Sequence, residues 1–163
     1  MKVTRMGFGF SLLLIFLIAV VLTVDGLGKT LNPANQIVLN AQGQQSGQSN
    51  APDLTVTYTC VRTGGNMQLS GNVQFGMSIQ GNYAVVQTFQ LGVVLADAQG
   101  NVLGEQQLTS AFDTNVGDTI NFNTTVAVPA QTASMAFTYN GQAFDAGRGG
   151  SNPTNFWFYP FAD

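Results

Sequence analysis

From Leu54 onward, apolar and polar residues alternate, and this period of two constrains the fold of the chain more than any other feature. Leu54, Val56, Tyr58 and Cys60 alternate with threonines, and similar segments follow up to the C-terminus. Alternation of this kind is typical of strands with one buried and one wet face, which antiparallel sheets provide. The sequence therefore predicts an all-β domain over residues 54–163.

Turn signals divide this region into predicted strands. The strands are expected at 54–60, 67–79, 83–95, 102–108, 120–128, 135–139 and 156–161. The long second strand is expected to bend at Gly71 or Gly76, and Asn140-Gly141 to close the sixth strand. Residues 97–101 predict a hairpin turn with Gly100 at positive φ. Strands of this number and spacing favour an immunoglobulin-like antiparallel β-sandwich of about seven strands.

An uncharged apolar run extends from Met6 to Val24, with Lys2 and Arg5 before it and Asp25 after it. A helix of that length spans about 28 Å, close to the thickness of the hydrocarbon core of a bilayer. The run is longer than the apolar region of most secretory signals, and no small-x-small cleavage site follows it. We therefore expect residues 1–28 to be a retained transmembrane signal anchor; a cleaved signal peptide is the alternative.

The charges that flank this run predict its orientation. Lys2 and Arg5 precede it and Lys29 alone follows closely. Because basic residues favour the cytoplasmic side, the N-terminus should be cytoplasmic and the C-terminal domain periplasmic, or otherwise extracytoplasmic. The expected location is the bacterial inner (cytoplasmic) membrane.

Residues 29–53 are rich in Gln, Ser, Gly and Asn and are expected to be a linker. Their middle part, 40–50, contains no charge and almost no apolar side chain. Such a segment buries too little surface to offset its ordering entropy, which predicts a flexible tether. The apolar residues 37–39 before it predict a short strand or a docking point.

The start of the chain also resembles the leader of type IV pilin-like proteins. Arg5-Met6-Gly7-Phe8 is followed by an apolar run, and such leaders are cut after the glycine. These pilins generally carry Glu at the fifth mature position, where this chain has Leu12. The resemblance implies a function as a subunit of a pilus-like filament.

The composition excludes several kinds of chemistry. The chain has no histidine and one cysteine, which excludes Ser-His-Asp and Cys-His catalysis, His-ligated zinc and an internal disulfide. Cys60 is in phase with the buried residues of its strand and is expected to be buried. The net charge of −3, with only five Lys and Arg, argues against nucleic acid as a partner. We therefore predict a non-enzymatic protein with no catalytic residue, cofactor or metal.

Arg148 is a candidate partner contact in a Gly-rich loop. It lies among the glycines and the proline of residues 145–153. A guanidinium in such a loop can bind a carboxylate or phosphate, or reach a partner subunit. The alternative is a mobile hairpin loop in which Arg148 pairs with Asp145.

Residues 156–161 are almost entirely aromatic and hold the other candidate contacts for a partner or for lipid. In a strand, Trp157, Tyr159 and Phe161 share one face, and Phe156, Phe158 and Pro160 lie on the other. One set can complete the core, and the other must meet something else. Trp and Tyr are favoured at protein interfaces and at the headgroup level of membranes. An ordinary edge strand that caps the core, or a platform that stacks on sugars, are the alternatives.

These features together favour a single-pass accessory or structural subunit whose β-sandwich docks on a larger membrane complex and stabilises it. Its partners would be integral-membrane subunits and the lipid bilayer; photosynthetic or respiratory assemblies are one class of host. The alternative is a membrane-tethered binding module for a glycan, a small ligand or calcium. That module would use the loops 113–118 and 145–153 with the aromatic strand.

Overall fold

The computed structural model describes residues 28–145 and 153–162, which form two antiparallel sheets packed face to face. One sheet has the strand order β1-β8-β5-β6, with β9 also paired to β8, and the other has the order β2-β3-β4-β7. The strands are β1 (Ile37–Val38), β2 (Gly43–Asn50), β3 (Leu54–Thr63), β4 (Asn66–Phe75), β5 (Val85–Ala96), β6 (Val102–Asn115), β7 (Ile120–Ala127), β8 (Ser134–Phe144) and β9 (Thr154–Phe158). The predicted β-sandwich is confirmed, with nine strands rather than about seven within the described ranges.

The core between the two sheets follows the predicted alternation. Leu54 and Cys60 on β3 are 2% and 3% exposed, so the cysteine is buried as predicted. Aromatic rings pack at one end of the core: Phe75 lies edge-on to Phe89 with centroids 5.2 Å apart, and Phe156 stacks on Phe89 at 6.4 Å. Ring pairs at these spacings add to the free energy of burial. The aromatic strand β9 is therefore tied to the core through Phe156.

The hairpin between β5 and β6 is confirmed at residues 97–101. Gly100 has a φ of 85°, a conformation that glycine adopts without strain. The Asp97 carboxylate accepts hydrogen bonds from the backbone N–H groups of Gln99 and Asn101, both at 2.9 Å. The turn is thus fixed by the residue types that predicted it.

Strand β4 ends at Phe75, so the predicted long strand over 67–79 with an internal bend is wrong. Gly76 has a φ of −83° and donates its N–H to Asp53 O at 2.7 Å, which directs the chain away from the sheet. A single helical turn, α1 (Met77–Gln80), follows it. It buries Ile79 and leaves Met77 77% exposed, although the two residues share one strand parity.

Two further strand ends differ from the prediction. Strand β8 continues through Gly141, because this glycine allows close packing rather than a turn: a Cβ there would lie 2.5 Å from Phe156 Cζ. Strand β6 continues through Asp113 to Asn115, because it pairs with β5 as far as Val85. The loop predicted at 113–118 is therefore a strand end followed by a short turn.

The expected flexible tether at 40–50 is also wrong, because residues 43–50 form strand β2 along the edge of β3. Every residue of β2 has a partner, from Gly43 opposite Arg62 to Asn50 opposite Thr55. The polar side chains bury little, so the strand is held mainly by backbone pairing, as the low burial of its positions indicates. Composition indicates only how much apolar surface the side chains can bury. It therefore gives no sign of an edge strand that is stabilised by backbone hydrogen bonds to its neighbour.

Residues 29–36, which we call the leading segment, pack on the outer face of the β8-β5-β6 sheet. Leu31 is fully buried in a second apolar cluster, separate from the main core. The other members of this cluster are Val94, Ala96, Val102 and Ala136, with Phe161 packed against it. The segment contains a 3₁₀ turn, Pro33–Asn35, and leads into β1, the short strand predicted at 37–39. The sandwich thus begins well before residue 54, and the predicted linker belongs to it.

Two of the sequence predictions concern residues outside the described ranges. Residues 1–27 of the predicted transmembrane anchor are among them, and so is Arg148. Within 28–145 and 153–162, no helix is long and apolar enough to cross a membrane.

If the leading segment is part of the folded unit, removing its buried side chain should destabilise the whole domain. We expect Leu31→Ala to lower the free energy of unfolding by about 3 kcal/mol, the usual cost of emptying a buried leucine site. Val38→Ala is the matched control, since Val38 is 73% exposed, and should change the free energy by less than about 0.5 kcal/mol. Urea denaturation of the full-length chain measures both. Equal stability of the two variants would contradict the packing of the leading segment.

Candidate functional site

The outer face of strands β5 and β8 has an apolar half and a polar half. Val94 and Ala136 lie in the apolar half, which the leading segment covers. Thr88 and Gln142 lie in the polar half, which no described segment covers and where the side chains are only partly buried. Within the described ranges, this half of the face remains open to a binding partner.

The strand register sets the order of side chains across the polar half. From β9 to β6, one row consists of Trp157, Asn140, Gln90 and Ser110. The next row consists of Asn155, Gln142, Thr88 and Phe112. Neighbouring strands are about 4.8 Å apart, so each row brings ring, amide and hydroxyl groups side by side.

An open groove of about 590 Å³ runs along this half beside β9. Its polar lining comprises the amides of Asn140, Gln142 and Asn155 and the hydroxyl of Thr88, and its exposed rings are those of Trp157 and Tyr159. Every described residue that lines it is uncharged. The groove thus combines aromatic surface with neutral hydrogen-bonding groups.

Trp157, Tyr159 and Phe161, which we call the aromatic row, extend along the outer face of β9 and the residues after it. Trp157 is 60% and Tyr159 53% exposed, whereas Phe156 on the opposite face is buried. The ring of Tyr159 stacks on that of Phe161 at 6.3 Å, and Lys29 Nζ lies 4.7 Å from the Phe161 centroid. The predicted division of the aromatics between two faces is confirmed; their role as contacts stays a prediction.

The aromatic row lies directly beside the leading segment. Leu31 forms an antiparallel bridge with Phe161, and the Ala162 N–H donates to Thr30 O at 2.8 Å. The Asn32 N–H donates to Pro160 O, also at 2.8 Å. The leading segment is therefore joined by backbone hydrogen bonds to the end of the aromatic row.

A second groove, of about 310 Å³, lies on the other side of Trp157 and contains Asp53. The Asp53 carboxylate accepts hydrogen bonds from the hydroxyl groups of Tyr139 and Ser78, both at 3.0 Å. Burial, together with the hydrogen bond to Asp53, raises the pKa of Tyr139 well above its ordinary value. The carboxylate is thus engaged in linking β8 to the start of β3, and this cluster is structural.

The loop at 113–118, proposed above as a calcium site, contains Asn115 bonded to Asp118 through its side chain at 3.2 Å. In the described part of the chain, no group of three or more His, Cys, Asp or Glu residues could hold a metal ion. The groove amides, in contrast, were missed by the sequence analysis. Asn155 shares strand parity with Trp157, and Asn140 and Gln142 alternate with the buried residues of β8. Only the register between β8 and β9 brings these amides together beside Trp157.

No protein-family model matches this chain, and comparison with curated proteins and with solved structures yields no match. Any assignment of function therefore has to come from the chain's own residues, above all the aromatic row and the groove beside it.

The raised pKa of Tyr139 predicts a loss of stability at alkaline pH. The unfolded chain releases this proton near pH 10, whereas the native state retains it to higher pH. Above about pH 10 the native state therefore binds more protons than the unfolded state, and the free energy of unfolding should fall as pH rises. We expect Tyr139→Phe to weaken this dependence, measured by urea denaturation between about pH 8 and pH 11.

The exposed tyrosine of the aromatic row provides the control for this experiment. Tyr159→Phe removes the same hydroxyl group from a ring that is 53% exposed and therefore controls for the substitution itself. Some dependence should also remain in Tyr139→Phe, because burial raises the pKa of Tyr58 as well. An unchanged pH dependence in Tyr139→Phe would contradict the role assigned to its burial.

Proposed function

We propose that this protein is a non-enzymatic accessory subunit of a larger membrane complex. Residues 6–24 anchor it in the bilayer, and the β-sandwich docks on the extracytoplasmic surface of the complex through the aromatic row. The observation that carries this proposal is the pairing of the leading segment with the aromatic row, Leu31 with Phe161. It puts the exposed aromatics beside residues 29–31, which follow the proposed anchor in the sequence.

Chain length limits how far the aromatic row can lie from the membrane. From Val24 to Lys29, a fully extended chain reaches at most about 18 Å. The Lys29 side chain and the 4.7 Å between its Nζ and the Phe161 ring add about 11 Å, so this ring stays within about 30 Å of the end of the proposed span. Trp and Tyr are favoured close to a membrane, where rings meet headgroups or the apolar rim of a neighbouring subunit. The aromatic row is thus well positioned to contact a membrane-embedded partner.

The packing of the leading segment supports docking on a fixed partner. Leu31 is fully buried and its N–H donates to Gly100 O at 2.8 Å, so the chain has no free linker at this point. The leading segment is therefore part of the folded sandwich and not a tether. Little ordering entropy then has to be lost on docking, which favours a lasting interface over capture of distant ligands.

We also propose that the sandwich is immunoglobulin-like. Strands β3, β4 and β7 are in the order of the immunoglobulin strands A, B and E, and β9, β8 and β5 are in that of G, F and C. Strand β6 extends the second sheet beside β5, and β1 and β2 are additions from the leading part of the chain.

The proposed location is the bacterial inner membrane, with the N-terminus in the cytoplasm and the sandwich in the periplasm. Lys2 and Arg5 before the apolar run support this orientation. Integral-membrane subunits are the proposed partners, and photosynthetic or respiratory assemblies are the class of host that we propose.

A photoreactive benzoylphenylalanine at position 159 tests the docking surface in native membranes. We expect it to crosslink to one integral-membrane protein, because the row would lie against that partner. The same group at position 61 is the control: Val61 is 39% exposed on β3 of the other sheet and should give no such product. Identical products from both positions would contradict the proposal, as would a full-length protein that leaves the membrane at alkaline pH or elutes alone after mild detergent extraction.

A further inference from the structure

The groove beside Trp157 has a chemistry that docking does not use. None of the described residues that line it carries a charge, so these residues offer no counter-charge to a phosphate, a carboxylate or an ammonium group. Its volume of about 590 Å³ lies within the range of small-ligand sites. A ligand that fits this groove should therefore be neutral.

The amide groups in the groove have hydrogen-bonding capacity to spare. Among the described residues, the side chains of Gln142, Asn155 and Thr88 make no hydrogen bond, and Asn140 has only a long one, 3.5 Å to Gln90. Each amide offers both a donor and an acceptor, which matches a hydroxyl group that needs both. An apolar ligand would leave these groups unpaired and desolvated, at a cost in binding free energy.

Trp157 provides the surface on which such a ligand can stack. Its indole is 60% exposed, and the strand register sets it opposite Asn140 and next to the row that holds Asn155 and Gln142. The C–H face of a pyranose ring is apolar and its rim bears hydroxyl groups. One sugar ring can therefore contact the indole while its hydroxyl groups bond to the amides beside it.

We propose that this groove binds a neutral glycan chain, with Trp157 as the stacking platform and Asn140, Gln142 and Asn155 as the hydroxyl-binding groups. The site occupies the half of the sheet that the leading segment leaves open. It does not depend on the proposed docking of the protein in a membrane complex. A sandwich with this site would bind a polysaccharide of the cell surface or cell wall.

The chain contains a single tryptophan, so its fluorescence reports on the surroundings of Trp157, which lines this groove. The full-length protein, in a detergent without a sugar headgroup, is titrated with the neutral tetraoses of cellulose, chitin, starch and mannan. We expect at least one of them to cause a saturable change in emission and to protect the indole from acrylamide quenching. The charged tetragalacturonate should give neither effect.

Variants of the groove assign the binding to its amides. Gln142→Ala and Asn155→Ala should each weaken the affinity about three- to tenfold, the usual effect of losing one neutral hydrogen bond. Gln44→Ala removes an exposed amide from β2 of the other sheet and should leave the affinity unchanged. Trp157→Ala, followed by calorimetry, should abolish binding while urea denaturation shows the domain still folded.

Two results would overturn the proposal. One is the absence of a saturable response to all four neutral tetraoses at millimolar concentration. The other is evidence that recognition lies outside this uncharged groove. Such evidence would be binding that Gln44→Ala weakens as much as Gln142→Ala does, or binding that is tighter for tetragalacturonate.

Discussion

The apolar half of the outer face of β5 and β8 is the constraint on which the arrangement of the molecule depends. Residues 134–139 of β8 are all buried, so this part of the strand needs cover on both faces. The inner face is covered by the opposite sheet. The outer face is covered by the leading segment, which inserts Leu31, and by the end of the chain, which adds Phe161. Burying this surface therefore requires both ends of the described chain to meet on one sheet.

This requirement links the fold to the proposed function. Because the leading segment packs on β5 and β8, residues 29–36 are not a loose tether. The aromatic row lies beside them. Because the outer side chains of β5 are Val94 and Ala96 at one end but Thr88 and Gln90 at the other, the rest of the same face stays open and forms the groove beside Trp157. The groove proposed for a glycan thus lies beside the aromatic row proposed for docking, and the two share Trp157 and Tyr159.

The sequence predicts what depends on local pattern and misses what depends on pairing. Alternation alone predicts strand β3, the burial of Cys60 and the two faces of the aromatic strand, since each follows from side-chain parity. Strand β2 was missed because polar side chains give no sign that a neighbouring backbone will order them. Gly76 and Gly141 were misinterpreted because glycine serves a bend, a helix start and a close contact equally well.

The candidate site was predictable only in part, for the same reason. Trp157 and Tyr159 have the opposite strand parity to the buried Phe156, and their exposure follows from this alternation. The amides beside them come from β8, and only the pairing of Asn140 with Trp157 brings them together. The bridge between Leu31 and Phe161 joins residues far apart in sequence, and no local pattern marks such a contact.

Native-state hydrogen exchange of the full-length protein tests the central claim, that the leading segment is an integral part of the sandwich. Three amides report on it: Leu31 donates to Gly100 O at 2.8 Å, Val102 to Lys29 O at 3.1 Å and Ala162 to Thr30 O at 2.8 Å. We expect these amides to be protected to the same degree as those in the centre of β5, because they open only when the domain unfolds. Exchange of these three amides at the rate of an unstructured chain, while β5 stays protected, would contradict the account.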